Sequence, residues 1–424
     1  MPLGSGEFEE AWPRIVRALA SFTGSLDDAE EYAAEAVARA AAHERDGGVP
    51  IESYAAWCTS VARRAWLDDV RRRSTLRRLT PELARPEADH TAMDADDLPL
   101  RGTVDLDDRL ALLFVACDEA LSATSRMVLA LRVVCGLTIP EIAGHLGVQE
   151  TAAAARLTRA KRALAEARGT FSVPDTAERT RRLPVVIACV AGMFTVAHRT
   201  VLDPADALAD TGRQALSIAD ALVAVYPADT EVRGLRAVIR LGLARRPGRV
   251  DDSGTGLALD EVDRSRWDAG LLRAGLAEAT LAAAGDGRFA LEAAIAGLHS
   301  SAPTFERTDW PRIVTVYGAL EQRWPSPSVR VARLVATAHA IGVADTAGDT
   351  ATRSAALADV ERELASLEQH GPAYASRDAS LALADLEWRT GRQEQAAARY
   401  RDLAEVMPVE ALRRFCLRRA VTPR

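Results

Sequence analysis

The sequence contains no asparagine and a single lysine, Lys161, so nearly all of its positive charge is arginine. Both residue types use AT-rich codons. Their scarcity points to a high-GC bacterial genome and carries no information about fold. Aromatic residues make up only 5% of the chain, against 48% hydrophobic residues in all. Alanine supplies the difference, and alanine-rich apolar faces favour helices packed through small side chains. The cysteines, Cys58, Cys117, Cys135, Cys189 and Cys416, are odd in number, and no pair has C-x-x-C spacing. Buried free thiols in a reducing compartment are therefore expected. No signal peptide is expected, and no apolar run reaches membrane-spanning length. The nearest approach, Leu183–Phe194, has the length of a core helix. A cytoplasmic protein without membrane contact is expected.

Chemistry-bearing motifs are equally scarce. His43, His90, His145, His198, His299, His339 and His370 are scattered without metal-ligand spacing. No H-E-x-x-H, G-x-S-x-G or Walker loop occurs, so no catalytic residue, metal or cofactor is expected. Gly254–Leu259, GTGLAL, is half of a glycine fingerprint, but no strand precedes it and it reads as a loop. The net charge of −7 excludes a polycation, so any nucleic-acid site must be a local basic patch.

What is present is helical periodicity nearly throughout, which predicts an all-α fold of two or three domains over 424 residues. The segment 8–78 reads as a compact helical domain. Trp12, Ile15, Val16 and Leu19 form its first apolar face, and Ser25 with Asp28 is a capping signature. The helix that follows carries an acidic face with Glu31 and Glu35. The third helix turns basic, with Arg63, Arg64, Arg71, Arg72 and Arg73, then Arg77 and Arg78, opposed only by Asp68 and Asp69. Such a block suggests phosphate contact, and a solvated helix face paired with acids is the alternative. Residues 79–106, rich in proline and aspartate without apolar period, read as a flexible acidic linker.

The segment 107–168 reads as a second helical domain that ends in a helix-turn-helix at Leu137–Arg168. Ile139, Ile142, Ala143 and Leu146 line one helix, and Gly147 sits at the turn. Ala153, Leu157, Ala160 and Leu164 line the second, whose other faces carry Arg156, Arg159, Lys161 and Arg162. A helix of this kind can lie in a DNA major groove. From 177 to 424 helix follows helix with short Pro or Gly breaks, as in a tetratricopeptide-like repeat bundle.

Taken together these segments resemble an extracytoplasmic-function sigma factor of the subfamily with a tetratricopeptide-like tail. DAEEYAAEAVARA resembles the region 2 helix that grips the polymerase clamp, which implies that Glu31, Glu35 and Arg39 bind core RNA polymerase. AWCTSVARRAWLDDVRRR resembles the helix that opens the −10 element, and LTIPEIAGHLGVQETAAAARLTRAKRAL the region 4 reader of the −35 element. The resemblance implies DNA contacts from Arg63, Arg64, Arg71, Arg72 and Arg73, and from Gln149, Glu150, Thr151, Arg156, Arg159, Lys161 and Arg162. In the tail, LDEVDRSRWD, LEAAIAGLHSSAPTFERTDWPRIVTVYGAL and WRTGRQEQAAARYRDL carry the likeness. Ala152 and Ala155 stand where the family has polar readers, and alanine cannot hydrogen-bond a base edge.

The implied function is a transcription initiation factor that acts on promoter DNA and is regulated through its C-terminal domain by a partner protein or small ligand. A second reading, motivated by the alanines, is a sigma-like scaffold repurposed to bind or transform a small molecule in a pocket between tail and sigma-like modules. The residues offered for a pocket are Asp263, Arg266, Trp267, His299, Asp309, Trp310 and Tyr317. Ion pairing and core packing of the same residues remain the competing explanation.

Overall fold

The computed structural model describes residues 5–79, 106–200, 210–343 and 350–421. All but the ends of the expected linker, 79–106, lies outside them. Among the described residues the protein is all-α, with 18 α-helices and no strand. Two compact units form. One comprises Met1–Met193 with Ala205–Gln214, and the other Phe194–Pro204 with Ala215–Arg424. The segments 8–78 and 107–168 both lie in the first unit.

The first unit opens with α1 (Ser5–Thr23), α2 (Leu26–Arg45) and α3 (Tyr54–Leu79), which pack on one another. Ile15, Val16 and Leu19 of α1 are fully buried, each contributing about 2 kcal/mol of transfer free energy. The Ser25 hydroxyl accepts the Asp28 N–H at 3.1 Å and starts α2. Alanines at 29, 33, 36 and 40 then give α2 a thin buried stripe. In α4 (Asp108–Ala116), capped by the Asp107 carboxylate, every residue from Leu110 to Ala116 is buried. The short helix is thus enclosed on all sides. The remaining helices are α5 (Ala123–Val133), α6 (Ile139–Leu146), α7 (Glu150–Arg168), α8 (Thr176–Thr200) and α9 (Thr211–Val225). The boundary between the units falls within α8 and again within α9.

A buried charge cluster ties α4, α7 and α8. Asp118 accepts from Arg168 Nε at 2.6 Å and Arg182 Nη2 at 2.7 Å. Arg182 also donates to the Phe114 carbonyl at 2.8 Å. Burial opposes ionisation of Asp118, but the Ala120 N–H and the two arginines outweigh it and hold the carboxyl below its ordinary value.

The second unit continues with α10 (Thr230–Ala244), α11 (Ala269–Ala282), α12 (Arg288–Ser301), α13 (Trp310–Arg323), α14 (Pro327–Val343), α15 (Thr350–His370), α16 (Ala373–Arg389), α17 (Gln393–Val406) and α18 (Glu410–Val421). Helices pack chiefly on near neighbours in sequence: α10 on α11 and α12, α13 on α14, α15 on α16, α17 on α18. This yields local cores, one around Trp310, Ile313 and Leu320 and another around Trp388, Tyr400 and Phe415. Gly234 allows α10 to approach α12, since a Cβ there would stand 2.5 Å from the Phe289 carbonyl. All five cysteines are free and buried.

Candidate nucleic-acid interface

The helix-turn-helix forms for local reasons. The Thr138 N–H and hydroxyl both donate to Glu141 Oε2 at 2.7 Å, which fixes the entry to α6. At its exit Gly147 takes φ +62°. The Val148 N–H returns to the Ala143 carbonyl at 3.0 Å and the Gly147 N–H to that of Gly144 at 3.4 Å. That pair of bonds is the Schellman closure, which favours glycine at the left-handed position. Ala153, Leu157, Ala160 and Leu164 are all buried, so α7 seats the face its periodicity predicts.

The opposite face of α7 is open. Gln149, Glu150, Thr151, Arg159 and Arg162 are exposed and Arg156 is half-buried. Arg162 pairs along the helix with Glu166 at 2.7 Å, a weak surface contact. Ala155 is exposed and Ala152 half-buried among these residues.

Lys161 differs from its neighbours and departs from the expected phosphate contact. Its ammonium turns onto α2, at 2.7 Å from Asp27 and 2.6 Å from Glu30. Glu30 also accepts Arg132 Nε at 2.8 Å, while Arg132 Nη1 donates to the Leu137 carbonyl at 2.9 Å. The Trp12 indole donates to the Arg132 carbonyl at 3.3 Å. Burial would raise the Glu30 pKa, but Lys161 and Arg132 outweigh it and hold the carboxyl below its usual range. Lys161 is raised in turn: burial opposes its charge, and Glu30 and Asp27 prevail. A buried cation with two carboxylates in reach stays with them, and it is withdrawn from solvent phosphate. Beside it lies a cleft of about 570 Å³, lined by Asp27, Thr158, Lys161, Arg162 and Phe171 among others. The Phe171 N–H donates to the Gly24 carbonyl at 2.8 Å and holds the chain after α7 against the α1–α2 turn.

On α2, Glu31, Glu35 and Arg39 are exposed, with Glu35 and Arg39 paired at 2.6 Å. On α3 the arginines divide. The Arg63 guanidinium lies 4.4 Å from the Phe22 ring centroid. Arg64, Arg71, Arg72 and Arg73 are exposed; Arg71 meets Asp68 at 3.2 Å and Arg73 meets Asp69 at 2.6 Å. Asp69 also accepts the Tyr32 hydroxyl at 2.9 Å. The side chains of Arg77 and Arg78 lie outside the described residues.

The residues offered for a tail pocket do not converge as a set. Asp309 caps α13 by accepting the Arg312 N–H at 3.1 Å. Trp310 is 2% exposed and stacks on His339 at 4.3 Å, in a local core. Asp263 accepts the Ser265 N–H at 2.9 Å in a surface turn, and Arg266 is exposed, 3.6 Å from Asp252. Trp267, His299 and Tyr317 are half-buried.

Residues 112–164, from within α4 to within α7, match the family described as sigma-70, region 4. Residues 182–283 match a family of unknown function, DUF6596. Over 334 residues the chain is 35% identical to an uncharacterized protein of Rhizobium meliloti, covering 78% of each. The chain thus carries a sigma-70 region 4 domain, which supports a sigma-factor-family member. No solved structure matches it.

The region 4 match takes in α6, the Gly147 turn and most of α7, which suggests a sigma-factor-like DNA-binding role. Sequence reasoning missed Glu30 and Arg132, because Glu30 meets Arg132 across 102 residues and Lys161 across 131. The one available signal was the isolation of Lys161 as the sole lysine among arginines.

Proposed function

We propose that this protein is a transcription initiation factor that binds core RNA polymerase and directs it to promoters. The observation that carries the reading is the helix-turn-helix whose second helix exposes Arg159 and Arg162, with Arg156 half-buried on the same helix, within a region 4 match. In this reading those arginines, with Gln149, Glu150 and Thr151, face the −35 element. Phosphate contacts would supply affinity and register, and Gln149 would supply much of the base reading, since Ala152 and Ala155 supply none. Arg64 and Arg71–Arg73 of α3 would contact the −10 element. Arg63, which packs on Phe22, would hold the adjacent surface. The exposed acidic face of α2 at Glu31 and Glu35 would meet the polymerase. The 177–424 segment, read as tetratricopeptide-like, would regulate the factor through a protein or ligand. The chemistry would belong to the polymerase, and the site of action would be the cytoplasm.

The inward turn of Lys161 and the two alanines favour a second reading, in which the scaffold no longer reads promoters and serves as a small-molecule binder or enzyme. Electrophoretic mobility shift with core polymerase and a promoter library separates the two. Retained promoter complexes support the first reading, and no binding to core polymerase at micromolar concentration overturns it.

A further inference from the structure

The cleft beside Lys161 lies wholly within the first unit, and promoter recognition makes no use of it. One wall is a single stripe of α7, on which Leu157, Lys161, Leu164 and Arg168 follow at alternating spacings of four and three residues. The other walls are the α1–α2 turn from Gly24 to Asp27, Val115 near the end of α4, and the segment 169–174 that leads into α8. Leu26, Val115, Leu157, Leu164 and Pro174 are buried and Phe171 is half-buried, so much of the lining is apolar.

Ion clusters stand at two points of the α7 stripe, two turns or about 10 Å apart. At one, Lys161 is held by Asp27 and Glu30. At the other, Arg168 pairs with Asp118 at 2.6 Å and with Glu178 at 3.0 Å, and Arg182 pairs with the same two acids. The exposed Arg162 pairs with Glu166. Every charged side chain of the lining is therefore already in an ion pair. This decides the class of ligand. A charged molecule finds no unmatched group here, and it would either break an internal pair or leave its own charge unpaired. An uncharged one displaces water from the leucines, Phe171 and Pro174 without either cost. The volume of about 570 Å³ is that of a small-molecule site, roughly 300–1,000 Å³.

We propose that this cleft binds an uncharged, largely apolar small molecule, an aromatic or alicyclic ring system about 10 Å long, between the α1–α2 turn and α7. Such a molecule touches the start of α2 and the second helix of the helix-turn-helix together. Its binding adds to the Lys161 clamp and favours the arrangement in which the two are docked. The site shares no residue with the pocket expected in the tail. It stands whether or not the protein recruits polymerase.

The test titrates the full-length protein with two fluorescent probes of one ring skeleton. N-phenyl-1-naphthylamine is neutral, and 8-anilino-1-naphthalenesulfonate carries a sulfonate. The neutral probe should bind saturably, and the anionic one at least about tenfold more weakly. Ala165 lines the cleft and is exposed. Ala165→Phe should therefore keep the fold, fill the space and weaken the neutral probe at least about tenfold. Ala167→Phe, exposed on the same helix but outside the lining, should leave the affinity unchanged. Circular dichroism establishes that both variants are folded. Hydrogen exchange of the wild-type protein needs no variant: the neutral probe should slow exchange in the first turn of α2 and in α7. No saturable binding of the neutral probe overturns the proposal, as does an anionic probe that binds equally well. An affinity unchanged in folded Ala165→Phe, or protection confined to the second unit, overturns it too.

Discussion

Substitution of Glu30 by glutamine tests the contact between α2 and the helix-turn-helix. The Glu30 side chain is 9% exposed and those of Lys161 and Arg132 are 12% and 16% exposed. The glutamine keeps the shape and removes the charge. Lys161 would retain only Asp27, which is 71% exposed and therefore a screened partner. Arg132 would retain the Leu137 carbonyl. Breaking one side of a buried ion cluster costs about 3 kcal/mol, at the low end for such pairs because Asp27 remains. That corresponds to about a hundredfold in an opening equilibrium.

Native-state hydrogen exchange at neutral pH is the suitable assay, because a protein of two units need not unfold in one step. Amides of α2, α5 and α7 should lose about a hundredfold in protection, while those of α15 to α18 should not change. The folded-state pKa of Glu30 lies below its ordinary 4.5, so its contribution is full above that pH and is lost as pH falls through the folded value. The difference between wild type and Glu30→Gln should accordingly shrink in acid. Equal protection of α7 in the two proteins at neutral pH would refute the role assigned to this carboxylate.

Three further expectations follow from the same geometry. Replacing Arg156, Arg159 and Arg162 together by alanine should weaken DNA binding and lower the slope of log affinity against log salt by about 0.9 per lost phosphate contact, measured by fluorescence anisotropy; an unchanged slope would remove them from the interface. Gly147→Ala places a Cβ at φ +62° in open space, so strain alone acts, and it should cost the first unit about 1–2 kcal/mol in denaturant unfolding. Burial, with Arg389 and His299, depresses the His339 pKa to about 3, so folding favours its neutral form. Its stabilising contribution is complete above the ordinary 6.5 and is lost as pH falls toward 3; His339→Gln should flatten the pH dependence of second-unit stability in that window, and an unaltered curve would contradict this.

The legible parts of the fold were those specified by near neighbours. The α1 stripe of Trp12, Ile15, Val16 and Leu19, the cap at Ser25, the turn at Gly147 and the buried face of α7 all follow from residues within a few positions of one another. Ala396 and Tyr400 likewise pack inward as their spacing requires. The ion clusters were not legible. Arg182 and Asp118 are separated by 64 residues, Lys161 and Glu30 by 131. Nothing in helical periodicity tells which of several cations on one face turns to a distant acid. In the tail the sequence left Trp310 between pocket wall and core, and the residue is 2% exposed.

The central claim is that the helix-turn-helix and α3 serve promoter recognition by a polymerase holoenzyme. Its most direct test is run-off transcription with core polymerase and purified protein on promoters selected from the bound fraction of a random library. Factor-dependent open complexes and a defined transcript start are predicted, both reduced by Arg71→Ala with Arg72→Ala. Absence of any complex with core polymerase at micromolar concentration would contradict the account.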